Sequence, residues 1–201
     1  MTKFIELDGS KFHKISFKDL YDKRTLIVGE LGTGKTRLLI KLLAEAIKLG
    51  LKDEITIIDM APKTIVFGEK KVGGSLSIHS PEVKCLRYLR SKGIKAPRLS
   101  SKSAEELILS AQENKVAIDR LLEAFTKNPS SILFINDISI YFHSGSIEPI
   151  LDILKLVNTF IANGYYGKSL SKDFDTGISK KEMESMESLM EKMDITIKLK
   201  G

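Results

Sequence analysis

Short apolar runs alternate along this chain with segments in which apolar residues recur at helical spacing. Five runs are almost entirely apolar and predict buried strands, at 25–28, 55–59, 132–136, 159–162 and 195–199. Strands that are covered by helices on both faces have this continuous apolar character. The intervening helical patterns, clearest at 104–126, predict right-handed crossovers between parallel strands. We therefore expect an α/β fold, a three-layer sandwich around a mostly parallel five-stranded core sheet.

Two segments fit this alternation less well. Residues 4–7 and 12–17 flank a turn at Asp8-Gly9-Ser10, and the second of them alternates apolar and polar residues, which predicts an N-terminal β-hairpin or a pair of edge strands ahead of the core. Residues from about 62 to 102 look like an insertion after the second core strand. Within it, 64–67 and 75–78 flank Gly73-Gly74 and predict a second hairpin.

The length and composition limit the classes of protein to consider. A chain of 201 residues suits one domain spanning 1–201. No apolar run approaches the roughly 20 residues of a membrane helix, and the first residues do not resemble a signal peptide, so we expect a cytoplasmic protein without a membrane partner. The single cysteine, Cys85, excludes an internal disulfide, and no Cys/His cluster has the spacing of a metal site.

The most informative motif is the glycine loop, residues 29–36, with the sequence Gly-Glu-Leu-Gly-Thr-Gly-Lys-Thr. It follows a predicted strand and precedes a predicted helix, which is the context that a phosphate-binding loop requires. Glycines allow backbone N–H groups to approach phosphate oxygens, and the helix directs its positive dipole end at the anion. Lys35 could reach the β- and γ-phosphates, and the Thr36 hydroxyl could complete the shell of a Mg²⁺ ion.

On this motif the chain resembles the P-loop NTPase superfamily. The resemblance implies ATP or ADP as ligand and Mg²⁺ as the accompanying metal. The residues expected to bind the nucleotide are Gly29, Glu30, Leu31, Gly32, Thr33, Gly34, Lys35, Thr36 and Arg37. The alternative is a glycine-rich turn before a helix that binds nothing.

Acidic residues follow two of the predicted strands. The run 131–137 ends in Asn136-Asp137 and resembles a Walker B segment, in which a terminal carboxylate holds Mg²⁺ through water. Many relatives have two acids at this point. Either Asp137 belongs to the metal shell and Asp59 or Glu30 acts as base, or Asn136 replaces the metal acid and Asp137 is catalytic. Because a carboxylate should help to hold the cation, we prefer the first alignment, with Thr36 and Asp137 as metal ligands.

Asp59 and Asn163 are each open to two interpretations. Asp59 ends the second strand, where it could orient a water or bind the metal shell, or could simply cap the turn into Ala61-Pro62. Asn163 ends the predicted fourth strand and resembles the sensor position of several ATPase families, where an amide contacts the γ-phosphate or the attacking water. It could equally serve the turn before Gly164.

The separation of the two motif strands extends the resemblance. About a hundred residues and one further strand lie between the glycine loop and Asp137. This arrangement is similar to the additional-strand division of the superfamily, which includes RecA-like, AAA+ and FtsK/HerA-like ATPases. That resemblance implies the strand order 5-1-4-3-2.

Positive charge is concentrated in one part of the chain. The net charge is +6, and residues 62–102 contain ten basic side chains against Glu69 and Glu82. Such a segment could bind nucleic acid or an acidic partner, or could be a solvated lysine-rich face. The chain could also form a homo-oligomer, because related ATPases often complete the site with an arginine of a neighbouring subunit. The candidates for that role are Arg87, Arg90, Arg98 and Arg120.

These observations support a Mg²⁺-dependent ATPase, with Lys35 stabilising charge on the γ-phosphoryl group and with Asp137, Asp59 and Glu30 as the other catalytic candidates. A connection to nucleic-acid processing is suggested by the basic segment alone. Two alternatives stay open. One is a nucleotide-dependent switch or degenerate protein with little hydrolysis, which Asn136 favours. The other is a small-molecule phosphotransferase, for which we find no acceptor or lid motif.

Overall fold

The structure, a computed structural model, describes residues 2–63, 65–67, 70–72, 74–80, 83, 85–170 and 172–200. Nine strands occur in these ranges. They are β1 (Lys3–Asp8), β2 (Arg24–Gly29), β3 (Ile55–Asp59), β4 (Ile65–Phe67), β5 (Lys70–Val72), β6 (Arg87–Arg90), β7 (Ile132–Asn136), β8 (Thr159–Tyr165) and β9 (Ile195–Lys200). Seven of them form one sheet in the order β1-β9-β2-β8-β7-β3-β6, and every neighbouring pair is parallel.

Helices cover both faces of this sheet. They are α1 (Phe17–Leu20), α2 (Lys35–Lys48), α3 (Leu76–His79), α4 (Pro97–Ser100), α5 (Ala104–Thr126), α6 (Glu148–Leu154) and α7 (Ile178–Met190). Short 3-10 helices span Gly9–Lys14, Lys52–Glu54 and Ile138–His143. Alternate residues of a strand point to opposite faces, so Ile27 joins the core with α1 and α2, while Leu26 and Val28 join the core with α5, α6 and α7.

The prediction of a five-stranded sheet is wrong, because the sheet has seven strands. The five predicted strands lie next to one another inside it, and β1 and β6 are added at its two edges. Both edge strands carry polar residues and are partly exposed, so neither has the continuous apolar run that identified the buried strands. The strand predicted to end before Asn163 also continues to Tyr165, which places Asn163 inside β8.

The predicted N-terminal hairpin is also wrong, and of the pair of edge strands predicted as its alternative only the first forms. β1 pairs in parallel with β9, and the chain then forms the 3-10 helix Gly9–Lys14 and helix α1. The Asp8 carboxylate accepts a hydrogen bond of 2.9 Å from the Ser10 N–H, and Asp19 accepts one of 2.9 Å from the Ser16 N–H. These local side-chain contacts favour helical turns over strand pairing.

The segment 62–102 differs in detail from its prediction. A hairpin does form, from β4 and β5, which pair in an antiparallel manner. Residues 76–79, expected to be strand, form α3 instead, and Gly73 and Thr64 of the predicted hairpin lie outside the described residues. Because β6 belongs to the main sheet, the segment is only partly an insertion.

The long helix predicted at 104–126 is confirmed by α5, which begins after Ser103, whose hydroxyl accepts a hydrogen bond of 3.2 Å from the Glu106 N–H. No helix in the described part of the chain is both long and apolar enough to cross a lipid bilayer.

Phe134 provides a test of the core. Its ring is fully buried in the centre of β7 and stacks on Phe17 with ring centroids 6.2 Å apart. We expect Phe134→Ala to lower the free energy of unfolding by about 3–5 kcal/mol, because it removes buried apolar surface and leaves a cavity. Phe4→Ala, at a side chain that is 66% exposed, should change it by less than about 0.5 kcal/mol. Urea unfolding of both variants checks this packing. Equal changes in the free energy of unfolding would contradict it.

Candidate functional site

The glycine loop connects the end of β2 to the start of α2, near the middle of the sheet. Gly34 immediately precedes α2 with φ 91°, a left-handed conformation that side chains rarely adopt. A Cβ atom at Gly34 would lie 3.0 Å from the Phe12 ring, and one at Gly29 would lie 2.7 Å from the Leu199 carbonyl oxygen. Glycine is therefore required at both positions for the backbone to take this path.

Lys35, the first residue of α2, lies across the inside of the loop. Its Nζ donates hydrogen bonds to the carbonyl oxygens of Gly29, at 2.9 Å, and Glu30, at 2.6 Å. Burial lowers the pKa of Lys35 to about 8, and the charges of Asp137 and Glu30 oppose that shift. The loop thus holds a partly buried cation beside the first N–H groups of a helix, which have no partner within the helix.

The other side chains of the loop have distinct positions. The Thr33 hydroxyl donates a hydrogen bond of 3.0 Å to the Glu30 carbonyl oxygen and so braces the loop. Thr36 lies in the first turn of α2 and is partly exposed. Arg37 is exposed, donates to the Gly9 carbonyl oxygen at 2.8 Å and lies 4.9 Å from the centre of the Phe12 ring. Arg37 therefore joins the loop helix to the N-terminal segment.

A ladder of polar side chains connects the carboxyl ends of β3, β7 and β8. The Asn136 amide donates to Asp59 Oδ1 at 2.8 Å, and the Asn163 amide donates to Asn136 Oδ1 at 3.1 Å. The Asn163 oxygen accepts a hydrogen bond of 2.7 Å from the Asp137 N–H. Asn136 and Asn163 are both almost fully buried. Asn163 therefore does not serve a turn; it fixes the backbone at Asp137.

Asp59 has the contacts of a structural carboxylate. Its side chain is fully buried and accepts hydrogen bonds from five donors. They are the N–H groups of Ala61 (3.2 Å) and Leu76 (2.9 Å), the Asn136 amide, the Tyr88 hydroxyl and Arg90 Nη1 (2.9 Å). Two carboxylate oxygens offer about four lone-pair sites, so no acceptor site remains for a water or metal. We therefore assign Asp59 a positioning role, including the turn into Ala61, and no longer favour it as the base.

Asp137 stands at the end of β7, facing the same edge of the sheet as the glycine loop. Its backbone is left-handed, with φ 62°. Burial raises the pKa of Asp137 to about 6, while the charge of Lys35 acts in the opposite direction. The Asp137 carboxylate and the Thr36 hydroxyl are oxygen donors of the kind that Mg²⁺ accepts together with water and phosphate. Among the described residues, no group of three or more His, Cys, Asp or Glu side chains could hold a metal ion.

Glu30 binds the loop that follows β8. Its Oε1 accepts a hydrogen bond of 2.5 Å from the Lys168 N–H, and Oε2 accepts from the Ser169 hydroxyl. Burial acts to raise the pKa of Glu30, but the hydrogen bonds from Ser169 and Lys168 outweigh it and lower the pKa below its usual value. Glu30 is thus occupied as a clasp between the glycine loop and residues 168–169.

This clasp can be tested by proteolysis. We expect Glu30→Gln to increase cleavage within residues 165–170, because it removes the charge that accepts hydrogen bonds from two backbone N–H groups there. Glu54→Gln serves as the control, since Glu54 accepts a hydrogen bond of 2.8 Å from the Ser131 hydroxyl far from this loop. Cleavage rates followed by mass spectrometry give the comparison. Equal protection of residues 165–170 in both variants would show that Glu30 does not hold the loop.

Sequence reasoning missed a buried cluster of ionisable groups behind Asp137. Arg98 of α4 pairs with Glu182 of α7, and His143 Nε2 lies 3.3 Å from Glu182 Oε1. All three residues are at most 6% exposed. Arg98 was considered only as an arginine that might cross a subunit interface. The three are far apart in the sequence and belong to no catalytic motif, so no local signal could have brought them together.

Four basic residues of the segment 62–102 have partners inside the protein. Arg87 donates to the carbonyl oxygens of Ala124 and Asn128 at the end of α5, and Arg90 pairs with Asp59. Lys95 pairs with Glu113, and Arg98 with Glu182. Lys63, Lys92 and Lys102 are exposed. Part of the positive charge of this segment is thus paired within the protein. A nucleic-acid surface here stays a prediction.

No family model matches the chain. No curated protein matches it either. Among solved structures, the chain is similar to Pif1 helicase from Candida albicans, with 15% sequence identity and a TM-score of 0.37. That match covers 97% of this chain and 40% of the helicase chain.

Proposed function

We propose that this protein binds ATP together with Mg²⁺ and hydrolyses it. The observation that supports this most strongly is the position of Lys35, whose ammonium group is held inside the glycine loop by the Gly29 and Glu30 carbonyl oxygens. A lysine, the glycine motif and a helix N-terminus lie together there, and together they would form a cradle for phosphate oxygens. The sequence motif and the geometry therefore indicate the same chemistry.

The order of the sheet also supports a place in the additional-strand division of P-loop NTPases. In that division a strand separates the two strands that carry the motifs. Here β8 lies between β2, which leads into the glycine loop, and β7, which ends before Asp137. The interior strands follow the order β9-β2-β8-β7-β3 within the seven-stranded sheet. We propose membership of this division on these grounds.

The residues of the site would divide the work as follows. The loop N–H groups and Lys35 bind the phosphates and stabilise charge that develops during transfer of the γ-phosphoryl group. Thr36 and Asp137 would hold Mg²⁺, which neutralises phosphate charge when bound. Asn163 fixes the backbone of Asp137 through its 2.7 Å hydrogen bond. Asn136 and Asp59 position the strand ends. Because its acceptor sites are occupied, Asp59 would not bind the metal or the attacking water.

A nucleotide-dependent switch with little hydrolysis is the second candidate. It is favoured by the environment of Asn136, which occupies the place of an acid in many relatives and uses its side chain in the polar ladder. In this case nucleotide would bind at the glycine loop as before, but phosphate would be released slowly.

Phosphate release distinguishes the two functions. We expect wild type to release phosphate from ATP in the presence of Mg²⁺ and to stop when EDTA removes the metal. Asp137→Asn should lower turnover by about 100-fold, because a neutral amide holds Mg²⁺ poorly. Asp152→Asn, at an exposed side chain of α6 that pairs with Lys155, is the matched control and should leave turnover unchanged. Saturable ATP binding without release would favour the switch, and the absence of binding would contradict both.

A further inference from the structure

The Arg98–Glu182–His143 cluster is unusual in its burial. Arg98, Glu182 and His143 are 6%, 2% and 5% exposed, respectively. They come from α4, α7 and the 3-10 helix Ile138–His143, so three separate elements converge on one point. Arg98 Nη1 also donates a hydrogen bond of 3.0 Å to the Leu170 carbonyl oxygen. The cluster is thus fixed in place from several directions.

Stability does not explain this cluster. The cost of removing two charges from water often exceeds their attraction, so a buried ion pair stabilises a fold less than apolar side chains of similar volume would. Several polar atoms also lack a hydrogen-bond partner within the described residues, namely Arg98 Nε, Glu182 Oε1 and both ring nitrogens of His143. Buried polar groups are normally paired, and an exception calls for a functional reason or a water.

A small cavity connects the cluster to the candidate site. It has a volume of about 50 Å³ and is lined by Glu182, Arg98 and His143 together with Leu31 of the glycine loop, Asp137 and Tyr165. A space of this size can hold a water molecule, which needs roughly 10–15 Å³ and two or more polar partners. The unpaired oxygen of Glu182 and the His143 ring could supply those partners.

Glu182 also differs from the other carboxylates considered for catalysis. Asp59 is occupied by five donors, and Glu30 is occupied by Lys168 and Ser169. Glu182 Oε2 pairs with Arg98, while Oε1 accepts no hydrogen bond in the described part of the chain and faces His143 Nε2 at 3.3 Å. A general base needs a fixed carboxylate with one oxygen free to accept a proton.

We propose that Glu182 is the general base for ATP hydrolysis and that Arg98 and His143 position it. This inference rests on the proposed function. The water oxygen forms a bond to the γ-phosphorus while the bond from that phosphorus to the bridging oxygen breaks, and the electron pair of the broken bond stays on ADP. The water proton moves to Glu182 Oε1 and is later released to solvent or phosphate.

The test uses three variants of the full chain. Glu182→Gln removes the base, and the double variant Arg98→Gln/Glu182→Gln removes the base while leaving no unpaired buried charge. Glu184→Gln, at an exposed residue of the same helix, is the control. Binding of a fluorescent ATP analogue and single-turnover phosphate release are measured for each, alongside thermal unfolding.

We expect phosphate release to fall about 100-fold in the Glu182→Gln and double variants, with the dissociation constant of the analogue changed by less than about threefold. The control should match wild type. If the double variant is folded and releases phosphate within about threefold of the wild-type rate, Glu182 has only a structural role and the proposal is overturned. Wild type that binds the analogue but does not hydrolyse ATP would also overturn it and leave nucleotide binding intact. Wild type that does not bind would instead refute the proposed function.

Discussion

Replacing Lys35 with alanine is expected to reduce ATP turnover at least about 100-fold and to weaken ATP binding. The lysine Nζ is held 2.6–2.9 Å from two carbonyl oxygens of the glycine loop, where it would meet the β- and γ-phosphates. Removing a group that stabilises transition-state charge in a partly buried site typically costs 10²–10³-fold, on the order of 3–4 kcal/mol. Steady-state phosphate release by the two proteins measures the effect.

A second lysine of the same helix provides the control for this experiment. Lys48 lies in the last turn of α2 and is exposed, at the opposite end of the helix from the glycine loop. Lys48→Ala removes the same charge from the chain without altering the loop. We expect its turnover to equal that of wild type. If Lys35→Ala and Lys48→Ala hydrolyse ATP equally well, the glycine loop is not the site of hydrolysis.

Replacing Arg98 with methionine is expected to lower the free energy of unfolding by about 3–5 kcal/mol, because the Glu182 carboxylate would remain buried without its partner. Both side chains of this pair are at most 4% exposed, so bulk solvent cannot replace the lost guanidinium without opening the core. The substitution should also destabilise the loop after β8, because Arg98 donates a hydrogen bond to the Leu170 carbonyl oxygen. Guanidinium chloride unfolding gives the comparison.

An exposed ion pair provides the contrast. Lys95 and Glu113 are about half exposed and lie 2.6 Å apart at the protein surface. Lys95→Met should therefore cost less than about 1 kcal/mol. If Arg98→Met also lowers the free energy of unfolding by less than about 1 kcal/mol, the Arg98–Glu182 pair behaves like an exposed ion pair, which contradicts the prediction.

The parts of the fold that were predicted correctly are encoded by neighbouring residues. Strand β2, the glycine loop and helix α2 follow one another directly, and each has a local signature in the apolar run, the glycines and the helical spacing. The same holds for α5, where Ser103 marks the start and the apolar positions mark one face. Local patterns of this kind predict structure well, because the apolar residues of a helix or strand with one buried face must recur with a fixed period.

The parts that were missed depend on contacts between distant residues. Edge strand β6 has the sequence Arg-Tyr-Leu-Arg, and only its pairing with β3 makes it a strand. Asp59 ends a strand and so suits a base, but the Ala61 N–H and four donors from other segments occupy its carboxylate. Glu182 belongs to the pattern Ser179-Lys180-Lys181-Glu182, which is typical of a helix N-terminus, and to no catalytic motif. Hydrogen-bond partners and burial separate these carboxylates, and neither can be read along a single chain.

The measurement that tests the central claim most directly is isothermal titration of ATP with Mg²⁺ into the wild-type protein and into Lys35→Ala. The account predicts saturable binding of one ATP per chain to wild type, with an affinity that falls at least about tenfold, or about 1.4 kcal/mol, in the variant. Binding that is equal in the two proteins, or no binding to wild type at millimolar ATP, would contradict the assignment of the glycine loop as a nucleotide site.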